Sequence, residues 1–132
     1  MKNAKAYLDK PRLLDAHIRQ KETELERLRL GLGSIYVSNQ GERVQTSQTG
    51  DRLANDVARV VDLEKEIEQK KIELITVRNA VIHRIHRLNN TVLVDILYKK
   101  YVEYKSYKEI AIELSYNISY VRRLHSKALK LL

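Results

Sequence analysis

The amino-acid sequence predicts an all-α fold, in which a long N-terminal helical hairpin at residues 1–88 precedes a smaller helical module at 89–132. Three observations predict this fold. All four glycines fall between positions 31 and 50, and glycine-free stretches favour uninterrupted helices. Apolar residues on either side recur at spacings of three and four. The chain is 32% charged, rich in Leu and Ile, and has one proline, which is typical of long solvated helices.

The first helix of the hairpin is predicted over residues 12–30. Pro11 suits its first turn and Asp9 its cap, with a separate short helical turn over residues 2–8. Lys21 interrupts an apolar stripe formed by Leu14, Ile18, Leu25 and Leu28. The stripe indicates the face that packs against the second helix.

The second helix is predicted from a cap at Asp51 to about Leu88. Eleven positions at alternating spacings of four and three, from 53 to 88, form a coiled-coil-like seam, and eight of them are apolar. Its charged members are Glu64, Lys71 and Arg78. A helix of this length measures about 55 Å, roughly twice the first. We therefore expect part of it to pack on another subunit or on the C-terminal segment.

The polar stretch between the two helices, residues 31–50, is predicted to be one long connection. Besides the glycines it contains serine, threonine, asparagine and glutamine, with Ile35, Tyr36 and Val37 as a small apolar anchor. Loops of this length are uncommon inside compact domains, so we expect it to be exposed or functional.

The C-terminal module begins with a helix predicted from Thr91 to Tyr104, capped by Asn90 or Thr91. Ser106 and Glu109 then form a capping box that opens a short helix ending near Leu114. A three-residue turn at 115–117 and a final helix capped by Ser119 complete a helix-turn-helix pattern. The buried positions expected for that geometry are Ile110, Ala111, Leu114, Ile118, Val121, Leu124 and Ala128.

The last helix keeps a basic face once its apolar positions are buried. Between Asn117 and Leu132 there are four basic residues and no acidic one, in a chain whose net charge is +8. A basic helix of this kind fits the major groove of DNA. We expect Ser119, Arg122 and Arg123 to read bases, with Ser126 as a further candidate. Residues placed for the DNA backbone are Tyr120, Lys127, Lys130 and Lys108.

The same residues carry a family resemblance. Residues 107–111, 120–125 and 128–129, within the last 27 residues, resemble region 4 of bacterial sigma factors. The whole chain is similar to small phage regulators of the ArpU/RinA type, which place a Leu- and Glu-rich helical segment and a Gly/Ser-rich loop before such a motif.

The resemblance implies a transcriptional regulator, an activator of late phage genes such as those for packaging and morphogenesis. It implies host RNA polymerase as a partner, because this motif in sigma factors reads the upstream promoter element and touches the polymerase flap. No other sigma region is present, so a complete sigma factor is not expected.

Several other classes of function find little support in the sequence. Cysteine is absent, which excludes disulfides and thiolate metal sites. Without a long apolar run or a leader segment, we expect a cytoplasmic protein, and the resemblance to phage regulators implies a bacterial host cell. His83 and His86 share a helix face, but no carboxylate pattern completes a metal site. Neither a phosphate loop nor a catalytic constellation is evident, so we expect no enzyme and no cofactor.

Some alternatives stay open. Six tyrosines lie between positions 98 and 120, and we interpret them as packing between helices rather than as a stacking platform for single strands. His125 either contacts the DNA backbone or packs internally. The protein as a whole is expected to be a homo-oligomer that binds double-stranded DNA. A small terminase subunit that binds a packaging site, or a polymerase-binding adaptor without DNA affinity of its own, are the alternatives.

Overall fold

The computed structural model describes residues 2–39 and 47–132, and within these ranges the regular secondary structure is entirely helical. These described residues form five helices, in chain order α1 (Lys2–Asn39), α2 (Ser47–Ile85), α3 (Thr91–Tyr101), α4 (Tyr107–Leu114) and α5 (Ile118–Leu131). The all-α prediction is thus confirmed for the described residues. In the same ranges no helix is both long and apolar enough to cross a membrane.

Helix α1 differs from the prediction at its start, because Pro11 lies inside a continuous helix rather than in its first turn. A proline within a helix removes one backbone hydrogen bond and costs about 3 kcal/mol. Here Pro11 is fully buried and Leu8, one turn earlier, is also fully buried. Burial of these side chains offsets the missing hydrogen bond, so residues 2–8 and Asp9 belong to the same helix.

The predicted connection at residues 31–50 is wrong over most of its length. Helix α1 continues through Gly31 to Asn39, and α2 already begins at Ser47, so Asp51 lies inside α2 and does not cap it. Glycine lowers the stability of a helix by about 1 kcal/mol without forbidding it, and a Cβ atom at Gly31 would meet nothing within 4 Å. Residues 40–46 of the predicted loop lie outside the described residues.

The chain divides into two compact units. Residues Ala16–Ile72 form the first, which we call the paired-helix unit, and Met1–Asp15 together with Glu73–Leu132 form the second, the C-terminal unit. This division differs from the expected boundary at residue 88, because the first turns of α1 and the end of α2 share a core with α3 and α5.

In the paired-helix unit, several ion pairs between described residues join parts of α1 and α2. Lys21 lies 2.8 Å from Glu66, Arg29 lies 2.6 Å from Glu64, and Lys71 lies 3.3 Å from Glu22. Arg59 pairs with Glu24 in the same way. Between these pairs the buried side chains are apolar, namely Ile18, Leu25, Leu63 and Ile67. The charged positions that interrupt both predicted apolar stripes are therefore positions at which the two helices form ion pairs.

The C-terminal unit has two adjoining apolar clusters. The first contains Leu8, Val81, Ile85, Leu93, Leu97, Tyr101 and Ala128, and the second Ile96, Ile110, Ala111 and Val121. Leu124, partly buried, packs against both of them. Because consecutive positions of α3 enter different clusters, this helix lies at the centre of the unit.

The segments that flank α4 agree with most of the predicted turn chemistry. Ser106 and Glu109 form the capping box, and Asn90 caps α3 by accepting hydrogen bonds from the backbone N–H groups of Val92 and Leu93. Helix α3 ends at Tyr101 rather than Tyr104, since Tyr104 has a φ of 60° and the Lys105 N–H turns back to the Lys99 carbonyl.

The predicted cap of the last helix is wrong. Asn117, not Ser119, caps α5, and its side chain accepts a hydrogen bond from the Ser119 backbone N–H at 2.9 Å. The Asn117 carbonyl accepts from the Val121 N–H, so the helix begins two residues earlier than predicted. Ile118 now lies in the first turn, where it is 40% exposed instead of buried.

Ser115 ends α4 in the left-handed conformation, with φ 57° and ψ 41°. This conformation costs a residue with a Cβ atom about 1 kcal/mol, and glycine usually occupies it. Ser115→Gly should therefore raise the free energy of unfolding by about 0.5–1 kcal/mol, measured by urea denaturation. Ser126→Gly, within α5, is the matched control and should lower it by about 0.5 kcal/mol. Destabilisation by both variants would contradict the assignment.

Candidate nucleic-acid interface

The outward face of α5 is continuous and basic. All seven residues predicted to lie on it are exposed, namely Ser119, Tyr120, Arg122, Arg123, Ser126, Lys127 and Lys130. Val121, His125 and Ala128 are buried on the opposite side and fix which face the helix turns outward. Lys108, the remaining predicted residue, is exposed in the first turn of α4.

The two arginines of this face make cation–π contacts with tyrosine rings. The guanidinium carbon of Arg122 lies 5.5 Å from the centre of the Tyr107 ring on α4, and that of Arg123 lies 5.6 Å from the Tyr120 ring. Tyr120 in turn meets Tyr116 edge to face, with ring centres 5.2 Å apart. Cation–π contacts restrict a long side chain while leaving its N–H donors free for a ligand. Both arginines are therefore partly ordered before anything binds.

The charge of the face is not neutralised within the part of the chain that the structure describes. None of Arg122, Arg123, Lys127 and Lys130 forms an ion pair with a described residue, and α5 contains no acidic side chain. These four residues and Ser126 line an open concavity of about 480 Å³. A surface that concentrates unpaired positive charge attracts polyanions.

His125 lies directly beneath this face and is only 4% exposed. Its Nε2 atom lies within hydrogen-bond distance of the Tyr101 hydroxyl, at 2.5 Å, and its Nδ1 atom lies 3.3 Å from the Tyr107 hydroxyl. The imidazole thus joins α5 to both α3 and α4. Of the two open interpretations, the structure supports internal packing.

The titration behaviour of this trio follows from burial. Burial, with smaller effects of Lys100 and Lys5, lowers the pKa of His125 to about 4. Burial also raises the pKa values of the Tyr101 and Tyr107 hydroxyls, so both keep their protons. A neutral imidazole offers one donor and one acceptor, and each is matched by a tyrosine hydroxyl.

The other tyrosines and histidines mostly pack within the molecule. Tyr101 is buried and Tyr120 is 41% exposed, in line with their interpretation as packing residues with Tyr120 as the exception. His86 meets the Tyr98 ring at 6.2 Å, and Arg84 lies over the Tyr7 ring at 5.0 Å. Arg84 therefore contributes to packing within the C-terminal unit.

A second group of basic residues was not predicted from the sequence. Lys5 and Arg12 on α1 lie beside Lys100 and Lys105 around a cavity of about 420 Å³, which we call the basic cavity. About 90 residues of sequence separate the two halves of this group, so no local spacing could have revealed it. The nearest signal was the pair of lysines at 99 and 100, at the end of a helix with an otherwise apolar face.

Comparison of the chain with models of protein families, with curated proteins and with solved structures finds no match. The residues of the site and their chemistry are therefore the basis for a functional proposal.

The buried imidazole predicts a specific dependence of stability on pH. Because the folded-state pKa of His125 is about 4 and its ordinary value is 6.5, the unfolded chain binds a proton between these values that the folded chain does not. The free energy of unfolding should therefore fall as the pH drops through this window, by up to about 3 kcal/mol. Urea denaturation at a series of pH values measures it.

The variant His125→Gln should lower stability overall but remove the slope between pH 5 and 6.5. His83→Gln, which changes an exposed histidine, should leave the slope unchanged. Above pH 5 the carboxylates contribute little, since their ordinary pKa is near 4. A slope that persists in His125→Gln would show that another group is responsible.

Proposed function

We propose that this chain is a sequence-specific, double-stranded DNA-binding transcriptional regulator, with α4 and α5 as its helix-turn-helix. The observation that carries the proposal is the exposed basic face of α5, whose four cations have no ion pair among the described residues. A solvated helix surface would account for exposure, but its charges are usually interspersed with carboxylates. The capped helices and the three-residue turn before α5 add support.

The position of each residue along α5 determines whether we assign it to a base or to a phosphate. In a helix-turn-helix the N-terminal residues of the second helix approach base edges, while later residues meet the backbone. Ser119, Arg122 and Arg123 lie in the first two turns, and arginine can donate two hydrogen bonds to guanine. Lys127 and Lys130 lie further along and are assigned to phosphates, as are Tyr120 and Lys108. Ser126, between the two groups, is the remaining candidate for a base contact.

The biological role rests on the resemblance to sigma region 4 and to small phage regulators. We propose activation of late phage genes in the cytoplasm of a bacterial host, with the host RNA polymerase as a further partner.

We propose, in addition, that the chain binds DNA as a homo-oligomer. Val57, Val61 and Ile72 on α2 are 47%, 43% and 60% exposed. At about 100° per residue, these three positions lie within roughly 60° of one another around the helix. An apolar stripe on a long, exposed helix is well suited to pairing with the same stripe of a second copy.

The assignment of base reading predicts the behaviour of matched variants. Arg123→Ala should weaken binding to the target duplex by about 1–3 kcal/mol and reduce the preference for it over random duplex. Lys130→Ala should weaken binding to both duplexes alike, because phosphates are the same in every sequence. Salt-titrated fluorescence anisotropy, with late-promoter DNA from the phage that encodes the chain, measures both effects.

Arg52→Ala on α2 is the control, since this arginine is also exposed and lies in the paired-helix unit. It should leave both affinities unchanged. Equal weakening on target and random duplex for Arg123→Ala would contradict base reading. If the wild-type chain binds neither duplex but binds the polymerase flap, the adaptor alternative is correct. A ring-shaped oligomer that selects a packaging site would indicate a small terminase subunit instead.

If the chain self-associates through α2, charged substitutions on the apolar stripe should lower the mass of the oligomer. Val61→Glu/Ile72→Glu should convert the oligomer to monomer in sedimentation equilibrium, because two carboxylates on the stripe would repel their copies. The helical signal in circular dichroism should remain, as both side chains are exposed. Asn55→Glu/Gln69→Glu, at exposed positions about 60° or more around the helix from the stripe, is the matched control. An unchanged mass in the first variant would exclude this stripe as the interface.

A further inference from the structure

The basic cavity lies in the C-terminal unit, where the first turns of α1 meet the segment between α3 and α4. Four cationic side chains line it, together with two carboxylates and three tyrosines. Lys5 and Arg12 come from one end of the chain and Lys100 and Lys105 from the other. The fold therefore brings cationic side chains from distant parts of the sequence around one cavity.

Each carboxylate of the cavity has a hydrogen-bonded partner, and that of Asp9 is a cation. Glu109 accepts hydrogen bonds from the Ser106 backbone and hydroxyl as part of the capping box. Asp9 pairs with Arg12 at 3.4 Å. Lys105 pairs outside the cavity with Glu103 and Glu113. Among the described residues, Lys5 and Lys100 are left without an ion pair.

This arrangement disfavours the charged form of the Lys100 side chain. Its side chain is partly buried, and its ammonium group lies 4.3 Å from the centre of the Tyr107 ring. Burial lowers the pKa of Lys100, and the nearby charges of Lys5 and Arg12 lower it further, while Asp9 opposes them. A bound anion would reduce this penalty, because it would add a second negative charge to the one that Asp9 supplies.

Tyr107 connects the cavity to the face of α5. Lys100 and Arg122 both lie over its ring, at 4.3 and 5.5 Å. Arg122 is one of the residues assigned to base reading, so the cavity adjoins the proposed DNA interface. A duplex whose major groove receives α5 has phosphates along the edge of that groove.

We propose that the basic cavity binds a backbone phosphate of the DNA duplex, with Lys5 and Lys100 as its ligands and Arg12 in support. This inference rests on the proposed function and adds a contact from the first turns of α1, far from α5 in sequence. The contact is independent of base sequence and anchors the duplex beside Arg122. It accounts for the partial burial of Lys100, which forms no ion pair within the part of the chain that the structure describes.

The test compares the salt dependence of binding to random duplex for the wild-type chain and for Lys5→Gln/Lys100→Gln. The slope of log affinity against log salt should become shallower by about one for each phosphate that the variant no longer neutralises. The ratio of affinities for target and random duplex should stay the same. Lys10→Gln/Lys65→Gln removes the same charge from two exposed lysines outside the cavity and should leave the slope close to that of the wild type.

A second measurement separates this inference from the proposed function. Inorganic phosphate is titrated into the wild-type chain and the cavity variant while the amide NMR signals of residues 100 and 107 are followed. The inference is supported if the shifts are saturable in the wild type alone and the salt slope of the cavity variant is shallower. The dispersion of the NMR spectra shows whether the variant is folded.

Each contrary result has its own meaning. If the wild type binds duplex and the cavity variant keeps its slope, the phosphate contact is wrong and the DNA-binding function stands. If the wild type binds no duplex, the proposed function fails and the duplex contact fails with it. Saturable phosphate shifts in that case would identify the cavity as a site for a free phosphate group rather than for DNA.

Discussion

The buried imidazole of His125 is the interaction on which the C-terminal unit depends. Its two nitrogen atoms are hydrogen-bonded to Tyr101 on α3 and Tyr107 on α4, so one side chain of α5 sets the position of that helix against both neighbours. A ring with a single donor and a single acceptor gives this junction only when it is neutral, and burial keeps it neutral. The direction in which the basic face of α5 points is therefore fixed from inside the molecule.

Charged residues inside the helical seams play a comparable role. Glu64, Lys71 and Arg78 interrupt the apolar pattern of α2, and each meets a residue of α1 with the opposite charge. The pairs of Glu64 and Lys71 are exposed, and exposed ion pairs contribute at most about 1 kcal/mol each, so these two add little to stability. The ion pairs instead favour one alignment of the two helices, because a shifted alignment would place like charges opposite one another.

Local chemistry explains why parts of the fold could be predicted from sequence and others could not. The capping box at Ser106 and the turn at Ser115 are determined by neighbouring residues, and both were predicted. The passage of α1 through Pro11 was not predicted because it depends on burial against distant residues. Exposure of the α5 face followed from its periodicity, whereas the basic cavity needs two segments about 90 residues apart. The burial of His125 also depends on packing between separate helices, so local sequence could not predict it.

The distribution of ion pairs bears on what the basic residues do. In the paired-helix unit, four cations are matched by carboxylates across the helices. On α5 four cations have no such match in the described chain, and Lys5 and Lys100 are also unmatched. A net charge supports solubility wherever the charges lie, so solubility does not require them to cluster on one face. Clustered like charges repel one another, and this repulsion opposes folding. The C-terminal unit also contains ion pairs, such as Lys99–Glu113 and Lys105–Glu103. The cations that it leaves unpaired among the described residues are those of α5 together with Lys5 and Lys100, and such a surface is suited to an external polyanion.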